Sequence, residues 1–321
     1  MRKSTMIWFI VGGALILMGA IIFCLLMTTL GWNFINLDTT KYNTNVYESE
    51  EVIEKVSIDT STSDVIFKPS DNGSVKVECY EQERLNHVVS FKDGELSIRT
   101  NDVRKWHDHI SLFSFKSPKI TVYLPTDTAV KMNVKLSTGD VNIPKEIKLS
   151  DSDITVNTGD VEYSASILGN VKIKATTGKI HLSATQAQDV EISVSTGSIR
   201  VSDLNCKSLT VKGGSGKVMI NNVTVQEQTS VKANTGDVTF VGGFGAKLCV
   251  KTNTGDVTFK RFDANEMEVN TSTGDVTGTL RTGKRFSAYS STGDVRVPSS
   301  FEGDVCKITV STGDIIISIV E

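Results

Sequence analysis

Residues 231–260 read VKANTGDVTFVGGFGAKLCVKTNTGDVTFK. The hexapeptide TGDVTF occurs twice in this stretch, with its glycines at 236 and 255, 19 residues apart. Extending the register outward finds ten such glycines: Gly139, Gly159, Gly178, Gly197, Gly216, Gly236, Gly255, Gly274, Gly293 and Gly313. Successive gaps are 20, 19, 19, 19, 20, 19, 19, 19 and 20. A period this constant is the mark of a repeat architecture.

Alignment on the glycine gives each offset a meaning. The preceding residue is Thr in nine copies and Ser215 in the tenth. The following residue is Asp in seven, the exceptions being Lys179, Ser198 and Lys217. Apolar residues recur at offsets −7, −5, +2 and +4, as in Val190, Ile192, Ile199 and Val201. A spacing of two on each side of a turn residue predicts strand, turn, strand. Glycine supplies positive φ at the turn, and Asp or Thr bonds nearby backbone N–H groups.

A unit of this size cannot bury its own apolar face, and stacking identical units can. The sequence therefore predicts an all-β chain: a single-stranded β-solenoid of about ten coils of 19–20 residues over 131–321. At about 4.8 Å per coil it is a rod of roughly 45 Å. An antiparallel sandwich with T-G-D hairpins is the competing fold. Its loops would drift in length, and these do not.

Residues 51–130 are β-rich but less regular, and are expected to cap the N-terminal edge of the stack. VSIDTSTSDVIF repeats the signature with Ser63 in the glycine position, and Asp93-Gly94 marks a turn between two strands. Ser63 and Gly139 are 76 residues apart, four periods of 19, without clear signatures between them.

An apolar N-terminal segment, the order IDTSTSDVIF, SVKVE, DGELSIR, ITVYLP, and then S-T-G-D-V repeats together resemble a bacterial β-strand-repeat family of unknown function labelled "putative adhesin". Its members include cell-envelope proteins associated with envelope-stress responses in Gram-positive bacteria. The resemblance covers residues 51–321 and implies no catalytic residues.

Residues 6–30 carry no charged side chain. As a helix they extend about 37 Å, enough to span a hydrocarbon core of about 30 Å. The run is longer than the apolar region of a signal peptide and lacks a small-x-small end, which favours an uncleaved anchor. Arg2 and Lys3 precede it, while Glu48, Glu50, Glu51 and Glu54 follow. That asymmetry predicts residues 1–5 in the cytoplasm, a transmembrane helix over 6–30, a linker over 31–50, and everything beyond outside the cell membrane.

The formal charge of −3 argues against nucleic acid as a partner. Cys24, Cys79, Cys206, Cys249 and Cys306 form no C-x-x-C pair, so neither a zinc ribbon nor a redox motif is indicated. Asp237, Asp256, Asp275, Asp294 and Asp314 share one turn position. Stacked carboxylates repel, and bonding to turn N–H groups is favoured over bound calcium as the compensation. Trp106-His107-Asp108-His109 reads as a surface loop with too few ligands for a metal site. Its continuation through Leu112, Phe113 and Phe115 is expected to pack on the cap rather than form an exposed contact patch. No nucleophile elbow, phosphate loop or dinucleotide fingerprint occurs, so neither an enzyme nor a cofactor is expected.

Three functions follow in descending order. The first is a membrane-anchored rod that binds a cell-wall polymer or envelope protein. The second is an envelope-stress regulator acting through a membrane partner, since a five-residue tail holds no signalling domain. The third is a carbohydrate-active solenoid, which would need carboxylates grouped in a groove. For the first, a basic stretch formed by Lys179 and Lys217 with Lys172, Lys174 and Lys212 beside them is the expected contact.

Overall fold

Each coil turns on two corners of different kinds. In the unit centred on Gly197, the strand Gln186–Thr196 leads into the glycine corner, and Ile199–Ser202 leaves it. A second corner follows at Asp203, which adopts φ 54°. The next unit begins at Asn205 and stacks on the first in parallel. Gln186 pairs with Asn205, Val190 with Leu209, Ile192 with Val211, and Ile199 with Val218. Because the repeat length equals the coil length, every apolar offset lies over its own copy. The interior is thus built of columns such as Ile154, Ile173, Ile192 and Val211, each no more than 1% exposed. The computed structural model describes residues 3–29, 31–32, 41–70, 73–104, 117–299 and 302–320.

The architecture is the expected β-solenoid, with two additions to its core. Offset −3 is also buried, by Leu136, Val156, Ala175, Val194 and Ala233, and by Thr252 and Thr271, which share a 2.9 Å hydroxyl bond. The second corner buries Leu204, Val223 and Phe262. Phe262 packs against the stacked rings of Phe240 and Phe259.

Spatial order departs from chain order at both ends. Lys55–Thr62 and Asp64–Pro69 form a regular coil around Ser63, and this coil lies directly under that of Gly139, with Thr62 beside Thr138. Four periods of sequence therefore separate immediate neighbours. The intervening chain builds a further coil on the opposite side, from Glu95–Asp102 and Lys119–Leu124. Leu85–Lys92 and Val75–Gln82 then pair antiparallel against that outer coil, and Tyr42–Ser49 pairs antiparallel with Val75–Gln82. At the C-terminus the coil of Gly313 (Asp304–Thr312, Ile315–Ile319) inserts between those of Gly274 and Gly293. In both cases the end of the repeat region is tucked inward and gains two parallel neighbours. A coil held covalently on both sides is left at, or next to, the edge, where a free terminus would fray.

The N-terminal helix, Lys3–Thr29, contains an apolar span, Thr5–Thr29, of mean hydropathy 2.8. By length and composition it is able to cross a membrane.

Candidate functional site

The glycine corner comes first, because it fixes every other column. All ten corner glycines have φ between 131° and 148°. At Gly255 an added Cβ would lie 2.6 Å from the carbonyl carbon of Gly236 and 3.2 Å from Asp237 N, so the stacked backbone leaves no room for it. The following Asp accepts a hydrogen bond from the next coil. Asp160 N donates to Asp140 Oδ1 at 2.7 Å, Asp275 N to Asp256 Oδ1 at 2.9 Å, Asp314 N to Asp275 Oδ1 at 2.8 Å, and Asp294 N to Asp314 Oδ1 at 2.8 Å. Asp237 receives Asp256 N at 3.3 Å. Each of these carboxylates offsets its neighbours' repulsion by binding backbone N–H, the compensation the sequence favoured. The run 275, 314, 294 also records the inverted coil order.

The expected basic stretch is divided between two surfaces. Lys179 and Lys217 occupy the glycine corner, where Lys217 Nζ lies 3.5 Å from Asp237. Lys172, Lys174 and Lys212 instead stand on the face of the long strands, where Lys212 Nζ lies 3.1 Å from Glu191. Lys212, first in hydrogen bonding and then with Lys172 and Lys174 in charge, lowers the Glu191 carboxyl below its usual range.

That face carries a feature absent from the expectation. Lys212 pairs in register with Lys232, and Lys232 with Lys251. All three are exposed. Among the described residues no carboxylate lies within ion-pairing distance of Lys232 or Lys251. Thr210, Ser230, Asn234 and Asn253 flank the column on the same face. Like charges directly opposed on a sheet are destabilising. Lys212 is offset by Glu191, whereas Lys232 and Lys251 continue the column as positive charges without a carboxylate partner among the described residues. It was accessible from sequence as offset −4 of three consecutive repeats, read only for apolar positions and turns.

A second grouping is buried in the N-terminal cap. Ser63 Oγ lies 2.9 Å from His87 Nε2, and His87 Nδ1 lies 2.6 Å from Glu81 Oε2. Glu81 also accepts His87 N at 2.7 Å and Asn45 Nδ2 at 2.6 Å. The order Ser, His, carboxylate matches a nucleophilic triad. The three residues are nevertheless only 1%, 4% and 1% exposed, so a substrate has no path to Ser63 Oγ. Cys79, Glu81 and His87 are also the one metal-compatible grouping among the described residues. Its geometry is accounted for by hydrogen bonds that tie the cap strands to the Ser63 corner. The signal was present in the alternation Val75, Val77, Cys79, Glu81, which sends Glu81 inward with the apolar residues. Residues 106–109 and 112–115 lie outside the described residues.

Solved structures that align with this chain include one described as a putative adhesin from Parabacteroides distasonis ATCC 8503. It is 13% identical over 87% of this chain and 98% of that one, with a TM-score of 0.49. A putative lipid binding protein from the same strain is 14% identical over 87% and 97%, with a TM-score of 0.41. A putative cell adhesion protein from Clostridium sporogenes ATCC 15579 is 12% identical over 87% and 100%, with a TM-score of 0.24. No curated protein matches. The family model described as Toastrack DUF4097 matches residues 53–242 and 245–321, which hold the cap, both tucked ends and every glycine corner. The chain belongs to the Toastrack DUF4097 family.

Proposed function

We propose that this chain is a membrane-anchored, cell-surface rod that acts by binding rather than by catalysis. Its ligand in this reading is a linear anionic polymer of the envelope, met along the long-strand face. The observation that carries the proposal is the register of Lys212, Lys232 and Lys251. Three ammonium groups spaced at about 4.8 Å by the ladder form a short positive track. Its flanking hydroxyl and amide side chains suit phosphate or carboxylate oxygens. Exposed ion pairs contribute about 0.2–1 kcal/mol each, so Lys232 and Lys251, which have no carboxylate partner among the described residues, supply up to about 2 kcal/mol per segment, a contribution that falls with salt. A long polymer would gain further from repeated engagement.

The anchor and its orientation belong to the same proposal. They are supported by the apolar Thr5–Thr29 span, by Arg2 and Lys3 before it, and by four glutamates between 48 and 54. Binding of the full chain, in detergent, to immobilised polyphosphate and to neutral dextran tests the ligand class. Salt-sensitive capture on polyphosphate alone supports it, and equal capture on both contradicts it. Protease on intact cells, with any outer wall removed, tests the orientation. Digestion beyond residue 40 supports it, and full protection contradicts it.

A further inference from the structure

Lys284 is the one lysine among the described residues that is fully buried, at 1% exposure. It lies on the edge coil, opposite Asp304 of the tucked coil, and its side chain reaches the strand Val257–Thr273 beneath. There Nζ lies 2.6 Å from Asp263 Oδ1 and 2.8 Å from the carbonyl oxygen of Ala264, with Asp304 Oδ2 at 3.5 Å. The Asp263 carboxyl is equally enclosed, and its two oxygens differ. Oδ1 accepts the Ala264 N–H at 2.8 Å, whereas Oδ2 is buried without any partner. An ionised carboxylate oxygen left unbonded in the interior is costly, and so is a buried ion pair that lacks full compensation.

We propose that Lys284 and Asp263 condense into an intramolecular amide that staples the edge coil to the body of the solenoid. The Ala264 N–H polarises the Cγ–Oδ1 bond, as a backbone donor does for an acyl group under attack. Two protons leave the Lys284 ammonium and are relayed by Asp304, which is half exposed, to Asp263 Oδ2. The Nζ–Cγ bond forms, the Cγ–Oδ2 bond breaks, and Oδ2 departs with both protons as water. One ammonium and one carboxylate become one amide and one water, so atoms and charge balance without an added reactant. The partnerless oxygen is the atom lost, while Oδ1 keeps its bond to Ala264 N. Held in contact by the fold, the two groups gain the effective concentration of an intramolecular reaction. The staple secures the edge coil, which pairs in parallel on one side only and is the first to peel when an anchored rod is pulled.

The test is the mass of the purified full chain. The proposal predicts a loss of about 18 Da, one water, from the mass of the unmodified chain. After trypsin, peptide 262–281 should be joined through Asp263 to peptide 282–285, because an acylated Lys284 is not cleaved. Lys284→Arg, which keeps the charge, should show no loss of water from its own sequence mass. Asp304→Asn should leave most of the chain unjoined. The unmodified mass in the folded wild-type chain, with cleavage after Lys284, would overturn the proposal. So would a water loss that maps elsewhere, such as to Asp93-Gly94.

Discussion

Replacing Gly255 by alanine adds one methyl group where two backbones are already in contact. The corner holds φ at 135°, a region that side chains other than hydrogen occupy at about 1–3 kcal/mol. The new Cβ also meets the peptide joining Gly236 to Asp237, which cannot rotate away as a side chain would. If the coils part to relieve it, two ladder bonds are lost or stretched: Gly236 N to Thr254 O and Gly255 N to Thr273 O, each 2.9 Å. At about 0.5–1.5 kcal/mol per bond, the total destabilisation is about 2–6 kcal/mol. Gly242 provides the control. It has φ 59° and nothing within 4 Å of its Cβ position. Asp203, Asn222 and Arg261 occupy the equivalent corner of other coils at φ 52–54°. Gly242→Asn should therefore cost well under about 1 kcal/mol. Urea melts of the full chain, read with hydrogen exchange at the Gly255 and Gly274 amides, separate the two. Equal losses at 242 and 255 would refute the claim that stacking, rather than backbone flexibility alone, demands glycine at the T-G-D corner.

Cys79, Cys206 and Cys306 are buried, and burial pushes each thiol up to about 12. Native protein at pH 8 should leave all three unalkylated while half-buried Cys249 reacts, and denaturant should expose them together. Glu81→Ala strips His87 and Asn45 of their acceptor and should cost about 3 kcal/mol in a urea melt, with little further loss when His87→Ala is added. A change below about 0.5 kcal/mol would mean that the buried network does not hold the cap. The tucked C-terminus predicts that cysteines at Thr273 and Thr312 form a disulfide readily, because these residues are paired, and that cysteines at Thr273 and Thr292 do not. The opposite result would restore sequential stacking.

The solenoid was legible because its determinants are local and repeated. A glycine with positive φ must recur at the coil length, and it does in all ten repeats, followed in seven of them by an Asp. Coil order was not legible for the same reason. The coils of Gly274, Gly293 and Gly313 present nearly identical edges, so the repeat pattern allows any of them to neighbour any other. Only the connections and the ends decide, and these act at long range. Ser63 shows this most plainly, since its signature was recognised but its neighbour lies 76 residues away. The Ser63, Glu81 and His87 network depends on that same long-range return. The lysine column needed no long-range information; it required reading the polar offsets with the alignment used for the apolar ones.

The most direct test of the binding account compares two triple variants that remove the same charge. One carries Lys212→Gln, Lys232→Gln and Lys251→Gln. The other carries Lys41→Gln, Lys145→Gln and Lys148→Gln, at exposed lysines elsewhere on the chain. Affinity of the full chain for polyphosphate is measured between 50 and 300 mM salt, at about constant pH, so that the screened electrostatic part is resolved. The account predicts a loss of roughly tenfold or more, and a shallower salt dependence, for the column variant alone, corresponding to about 1.4 kcal/mol. Equal losses in the two variants would mean that net charge, and not the register of the lysine column, governs binding.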